Sequence, residues 1–200
     1  MSYQISHLDL RSVENRTYFF DANIWLLILG IKTNPSAQEV KYMQFFADVF
    51  ASAKKGQARI VLPALLVSEI VNRMILNVEM PKFAKAKGED HRTPNYLKIK
   101  FRPAPEYQKA REKIHDDLNI YASVCQQISD NFGSPGFACA ELLDPQKTSL
   151  EFGDNYFYRL AAFHEAVLVT HDGDFFFQDL PIYTLNNQLL ERAKAALAPK

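Results

Sequence analysis

The chain has 200 residues, 48% of them hydrophobic, which favours one globular domain with a full core over two independent domains. Its 23 basic residues equal its 23 acidic residues in number, so the net charge alone indicates no polyanionic partner. The two cysteines are too few for a disulfide framework and lack metal-ligand spacing. No signal-peptide pattern or bilayer-length apolar run is present, so we expect a cytoplasmic protein without a membrane partner.

Apolar runs and helical periodicity predict alternating strands and helices in the first part of the chain, after an irregular segment over residues 1–16. The predicted elements are a strand over Thr17–Phe20, helices over 24–31 and Ala37–Lys54, a strand over 58–62 and a helix over 63–78. This order favours an α/β fold, with a central, mainly parallel sheet flanked by helices on both faces.

Residues 81–113 differ in composition from the rest, with ten Lys and Arg against four Asp and Glu and with interleaved aromatic residues. Such a segment can bind phosphates and stack bases, and a solvated surface loop has the same composition. Both interpretations stay open. If RNA binds here, Lys98, Lys100 and Arg102 are the candidates for phosphate contacts.

The last part of the chain predicts a helix over residues 109–129, an undecided helix or strand over 137–144, and a helix over 154–166. A short buried strand over 166–170 follows, then an edge strand over 182–185 and a closing helix over Asn187–Leu197.

Acidic residues stand at the junctions between these elements. Asp21 follows the first strand, and Asp172 and Asp174 follow a later one; Glu69 and Asp154 lie on helices. Because the carboxyl ends of parallel strands meet at one edge of a sheet, these acids are expected to converge there. Crowded carboxylates repel one another unless a cation neutralises them, and an all-oxygen set suits Mg²⁺ or Mn²⁺.

Each acid also has a purely structural interpretation. Asp21 and Asp154 suit the N-cap position of a helix, and Glu69 can pair with Arg73 at i, i+4. We expect the joint occurrence of Asp21, Glu69, Asp154 and Asp172 to outweigh these independent explanations.

Three motifs occur in order across residues 17–185: FFDAN, PALLVSEI and FGDNYFYRLAAFHEAVLVTHDGDF. Together they resemble the PIN-domain family of metal-dependent ribonucleases, including the toxin ribonucleases of toxin–antitoxin pairs. The most specific part is Thr170-x-Asp172-x-Asp174-Phe175 behind an apolar strand.

The resemblance implies four acidic residues that hold one or two divalent ions. It also implies that the protein cleaves RNA to leave a 5′-phosphate and a 3′-hydroxyl. The quartet would be Asp21, Glu69, Asp154 and Asp172, with Asp174 as an auxiliary acid and Asn23 and Thr170 supporting by hydrogen bonds. An antitoxin protein and a second copy of the chain are further partners that the resemblance allows without deciding either.

The chain departs from the family pattern in two respects. The separation of Glu69 from Asp154 exceeds that of compact members, which predicts a single PIN-like domain over residues 1–200 with a basic helical insertion at about 81–135. Asn155 stands where a small residue is commoner. If the motifs are shifted there, the third acid becomes Glu141, Asp144 or Glu151 instead.

Two other classes compete with a ribonuclease. A phosphatase of the haloacid dehalogenase type also begins with a strand and an acid, but its motif requires a second Asp where this chain has Asn23. A PIN-like RNA-binding or scaffold protein would keep the fold without catalysis.

Overall fold

The computed structural model describes residues 3–128, 142 and 151–197. The candidate acids Glu141 and Asp144 and the end of the proposed insertion, 129–135, therefore lie outside the described residues. The same holds for the undecided segment 137–144, except for residue 142. Within the described residues, no helix is both long enough and apolar enough to cross a lipid bilayer.

Six parallel strands form one sheet in the described part of the chain. They are β1 (Ile5–His7), β2 (Thr17–Phe20), β3 (Arg59–Pro63), β4 (Gln126–Ile128), β5 (Val167–Val169) and β6 (Ile182–Thr184). Their order across the sheet is β1-β6-β5-β2-β3-β4. The two central strands β2 and β5 are buried along their whole length, as expected for a parallel sheet covered on both faces.

α-Helices lie in the connections from β2 to β3, from β3 to β4 and from β4 to β5, and one follows β6, whereas the described connection from β5 to β6 contains none. They are α1 (Ala22–Ile28), α2 (Ala37–Lys54), α3 (Ala64–Met74), α4 (Met80–Lys87), α5 (Pro105–Ala122), α6 (Phe152–Phe163) and α7 (Asn187–Leu197). The predicted α/β class, with a mainly parallel sheet and helices on both faces, is confirmed.

Aromatic packing fixes α1 against the sheet and against α2. The rings of Phe20 and Trp25 lie 4.9 Å and 5.0 Å from the ring of Phe46, measured between centroids, and Tyr121 of α5 packs 5.6 Å from the same ring. The buried rings of Phe20, Trp25 and Phe46 hold the end of β2 and the start of α1 in place. The acid between them, Asp21, is thereby positioned.

The predictions at both edges of the sheet were wrong. The segment 1–16 was expected to be irregular and β6 to be an edge strand, but Ile5–His7 pairs in parallel with Ile182–Thr184 and forms the edge itself. The predicted helix over 109–129 ends at Ala122, and Gln126–Ile128 pairs with β3 as the opposite edge. Both edge strands are short and only partly buried, so neither shows an apolar run that would reveal it.

The predicted helix over 63–78 also continues further than expected. A π-helical turn, Ile75–Glu79, joins α3 to α4 in one helical segment that ends at Gly88, whose φ of 67° is left-handed. Pro81 is the second residue of α4 and directly follows the π-helical turn, and the helical segment continues through it to Lys87. The proline therefore does not end the segment, contrary to the usual rule.

A candidate acidic site at the carboxyl edge of the sheet

Asp21 links the two central strands at their carboxyl ends. Its amide donates to the carbonyl of Val169 in β5 at 3.1 Å, and its own carbonyl accepts from the amides of Ile24 and Trp25 at 3.0 and 3.2 Å. The backbone thus starts α1 as an N-cap residue does. The side chain makes no capping hydrogen bond, so capping does not explain the carboxylate.

The Asp21 carboxylate is instead held by two polar neighbours. Its Oδ2 accepts from the Thr170 hydroxyl at 2.9 Å and from the Asn23 side-chain amide at 3.1 Å. Burial raises the pKa of Asp21 to about 7, and the negative charges of Asp172 and Glu69 act in the same direction. The charge of this buried acid is therefore poorly compensated by the protein.

Thr170 joins the two strand-to-acid junctions. While its hydroxyl donates to Asp21, its Oγ1 accepts from the amide of Asp172 at 2.9 Å. The Asp172 carboxylate in turn accepts from the amide of Asp174 at 2.9 Å, which folds the turn after β5 back on itself. One hydroxyl thus fixes the spacing between Asp21 and the loop that carries Asp172.

Glu69 forms the ion pair that its spacing allowed, and it also faces the site. Arg73 contacts Glu69 Oε1 through Nη2 at 2.8 Å and donates from Nη1 to Asn23 Oδ1 at 2.9 Å. Burial raises the pKa of Glu69, although Arg73 opposes this. From the sequence, Arg73 was expected only to pair with Glu69 at the surface. Its position four residues after Glu69, on the same helix face, was the available signal.

Asp154 lies in the first turn of α6, which begins at Phe152 rather than at Asp154, so the structural interpretation of Asp154 as the N-cap does not hold. The N-cap is Glu151, whose extended backbone precedes the helix and whose carbonyl accepts from the amide of Asn155 at 3.0 Å. The Asp154 carboxylate accepts no hydrogen bond from the described part of the chain. Burial raises its pKa to about 6, with Asp172 the next largest cause.

The structure describes two of the four candidates for the third acid. Asp154 and Glu151 both line the cleft described below, whereas Glu141 and Asp144 lie outside the described residues. Asn155, the unusual residue after Asp154, is buried and donates to the carbonyl of Leu142 at 2.9 Å. It therefore has a packing role, and the motif need not be shifted to accommodate it.

Glu69, Asp154, Asp172 and Asp174 line one cleft of about 720 Å³, and Asp21 does not line this cleft. Its lining is Glu69, Arg73, Glu151, Gly153, Asp154, Asp172, Asp174 and Arg192. Arg192 comes from α7, where its Nη1 donates to the carbonyl of Gly173 at 2.9 Å and its guanidinium lies 4.3 Å from the ring centre of Phe176. Nothing in the sequence near Arg192 indicates that it reaches this site.

The donor atoms suit a divalent cation, but the side chains are not yet arranged around one. Among the described residues, no three His, Cys, Asp or Glu side chains are close enough to hold an ion. Glu69 is turned toward Arg73, and Asp172 accepts from a backbone amide. The oxygen-only donors and the raised pKa values fit Mg²⁺ or Mn²⁺ in kind, and side-chain rotation would be needed to complete the site.

The predicted phosphate-binding residues lie elsewhere. Lys98 and Lys100 belong to a π-helical turn, Leu97–Phe101, and Arg102 follows it. All three are exposed, and Lys100 pairs with Glu89 at 3.4 Å. None of them is among the described residues that line the acidic cleft. The structure does not bring them together with the acids.

Comparison with known proteins leaves the family open. No family model, curated protein or solved structure matches the chain. The resemblance to PIN-domain ribonucleases therefore rests on the three sequence motifs, and it stays a prediction.

Proposed function

We propose that this protein is a Mg²⁺- or Mn²⁺-dependent endoribonuclease that hydrolyses RNA phosphodiester bonds. The observation that supports this most is the crowding of carboxylates from separate elements at one sheet edge, with the pKa of Asp21 and of Asp154 raised to about 7 and about 6. Uncompensated buried carboxylates weaken a fold, and they are characteristic of sites that bind a cation. A cytoplasmic location and an antitoxin or second copy as partner belong to the same proposal.

The chain's own residues have distinct parts in this proposal. The ligands would be the quartet Asp21, Glu69, Asp154 and Asp172, with Asp174 as an auxiliary acid. A bound divalent ion would lower the pKa of an attacking water and neutralise charge on the phosphoryl oxygens. Thr170 and Asn23 orient the Asp21 carboxylate through their hydrogen bonds.

Two arginines add positive charge to the walls of the cleft. Arg73 and Arg192 lie on different helices, and each guanidinium carries donors that match the geometry of phosphate oxygens. They are better placed than the predicted Lys98, Lys100 and Arg102 to hold the phosphate that is cleaved. The lysines and Arg102 remain candidates for contacts further along the strand.

The test is cleavage of single-stranded RNA by the purified protein with Mg²⁺ or Mn²⁺. We expect cleavage that stops with chelator and falls by about 10³-fold in Asp21→Asn. Asp48→Asn is the matched control, since Asp48 is an exposed acid on α2 that accepts from Gln44. Metal-independent cleavage, or full activity in Asp21→Asn, would contradict the proposal.

A second candidate is a PIN-like RNA-binding or scaffold protein without catalysis. One observation that favours it is the ion pair between Arg73 and Glu69, which occupies one of the four proposed ligands. The other is that, among the described residues, no three acidic side chains lie close enough together to hold an ion. This candidate predicts RNA binding of equal affinity with and without Mn²⁺, and no cleavage under either condition.

A further inference from the structure

A second pocket, of about 430 Å³, lies beside the acidic cleft. We call it the side pocket. Its size is within the range of small-molecule sites. One part of its lining is aliphatic, contributed by Ile24, Leu27 and Ile31, and another is polar, contributed by Gln38, Asn77 and His171.

Shared residues join the side pocket to the acidic cleft. Arg73 lines both cavities, and Asn23, which donates to the Asp21 carboxylate, lines the side pocket. His171 lines the side pocket and is followed directly by Asp172 of the cleft. A ligand with a phosphate in the cleft could therefore place its next chemical group in the side pocket.

The lining suits a flat heteroaromatic ring with a polar edge. Aliphatic side chains can cover the faces of such a ring. The side-chain amides of Gln38 and Asn77 make no hydrogen bond to the described part of the chain, so their donor and acceptor atoms are available to a ligand. An amide offers both a donor and an acceptor, which is the pattern needed to read the edge of a base.

His171 adds an imidazole ring to the polar part of the lining, and Tyr42 holds this ring in place. The buried Tyr42 hydroxyl donates its single proton to the carbonyl of Thr170 at 3.0 Å and accepts from the amide of Leu185 at 2.6 Å. The 3.2 Å contact between the Tyr42 hydroxyl and His171 Nδ1 holds the imidazole at the side pocket, and Nε2 is the ring nitrogen that remains for a hydrogen bond with a ligand.

We propose that the side pocket takes one nucleobase of the RNA strand, next to the phosphate that lies at the acidic cleft, and so gives cleavage a base preference. This inference rests on the proposed ribonuclease function. Gln38, Asn77 and His171 read the edge of the base, and Arg73 lies at the boundary between base and phosphate.

The first test maps cleavage sites on a random-sequence RNA in the presence of Mn²⁺. Wild-type protein is expected to prefer one base beside the cut. In the double variant Gln38→Ala, Asn77→Ala, the ratio of cleavage at this base to cleavage at the other bases should fall by about tenfold for each lost hydrogen bond. The control double variant Gln44→Ala, Asn72→Ala changes the same residue types at exposed positions of α2 and α3 outside the side pocket, and it should leave the base preference unchanged. Cleavage with an unaltered preference in the first double variant overturns the side-pocket proposal while the ribonuclease proposal stands.

The second test needs neither metal nor cleavage. Binding of the four nucleoside 5′-monophosphates is measured by NMR, following the side-chain amide signals of Gln38 and Asn77. We expect these signals to shift for the preferred nucleotide and binding to be lost in Ile31→Trp, which fills the pocket. If no nucleotide shifts them, the side pocket is not a nucleobase site. If they shift but the protein never cleaves RNA, the ribonuclease proposal fails and the nucleotide site remains.

Discussion

The acidic cleft and the basic segment Leu97–Arg102 are both rich in charged side chains, but they differ in solvent exposure and in how the charges are paired. Glu69, Asp154 and Asp172 of the cleft are partly buried, whereas Glu151 and Asp174 are exposed, and the pKa of Asp154 is raised by burial and by neighbouring acids. The cations of the basic segment are exposed, and Lys100 has an acidic partner in Glu89. Exposed charges destabilise a fold little, so no ligand is needed to explain them. Partly buried charges of the same sign that lie close together are destabilising, and a bound cation would explain them. Burial therefore separates the two regions where charge alone does not.

The largest expected effect comes from matched single substitutions in the two regions. Asp154→Asn should lower Mn²⁺-dependent RNA cleavage by about 10³-fold, because it removes a proposed ion ligand. Lys100→Gln should change the rate by less than about twofold at low salt, since one exposed phosphate contact contributes little. The measurement is the cleavage rate of one defined RNA oligonucleotide.

Glu151→Gln serves as the internal control for the third acid. Glu151 lines the cleft at the N-cap of α6 and should matter much less than Asp154. A larger loss in Glu151→Gln than in Asp154→Asn would reassign the third acid.

Mn²⁺ should raise the melting temperature of the wild-type protein. At a concentration of about 100 times Kd, an ion that binds only the native state adds about 2.7 kcal/mol, or roughly 5–10 °C for a chain of this size. The shift should vanish in Asp21→Asn and persist in the triple variant Lys98→Ala, Lys100→Ala, Arg102→Ala. An equal shift in wild type and Asp21→Asn would place the ion elsewhere.

Without metal, the free energy of unfolding should fall as pH rises from about 4 to about 7. The pKa of Asp21 is raised from its ordinary value of 3.8 to about 7, so between these values the native state binds more protons than the unfolded state. Asp154 contributes in the same direction up to a pH of about 6. Chelator-treated protein, unfolded by urea at several pH values, measures this slope, and Asp21→Asn should flatten it. A slope that is unchanged in Asp21→Asn would contradict the raised pKa.

The smallest effect is expected from the basic segment. Changing Lys98, Lys100 and Arg102 together to Ala should reduce the salt dependence of single-stranded RNA binding, by a log–log slope of up to about 2. Binding is measured by fluorescence anisotropy at several salt concentrations. An unchanged slope would return these residues to the role of a solvated surface.

The sequence predicts the centre of the fold better than its edges. β2 and β5 are short runs of buried apolar residues, and the pattern that specifies them is local. The edge strands Ile5–His7 and Gln126–Ile128 lack such a pattern, because half-exposed edges need little apolar sequence. The π-helical turn before Pro81 was missed for a related reason, since a change of helical hydrogen-bond register has no clear residue signature.

The part of the candidate site that comes directly after strands in the sequence could be predicted. Asp21 and Asp172 are adjacent to the central strands in sequence, so parallel pairing brings them together. Arg192 and the side-pocket residues come from distant elements, and only the packing of helices against the sheet places them. The turning of Glu69 toward Arg73 depends on side-chain rotamers, which spacing alone does not determine.

The most direct measurement is a crystal structure of the wild-type protein soaked in Mn²⁺, with the ion located by its anomalous scattering. The proposed function predicts a Mn²⁺ ion at the carboxyl edge of the sheet, bound by oxygens of Asp21 and Asp172 with Glu69 or Asp154 rotated toward it. Full anomalous density at other sites, with none at these carboxylates, would contradict the account.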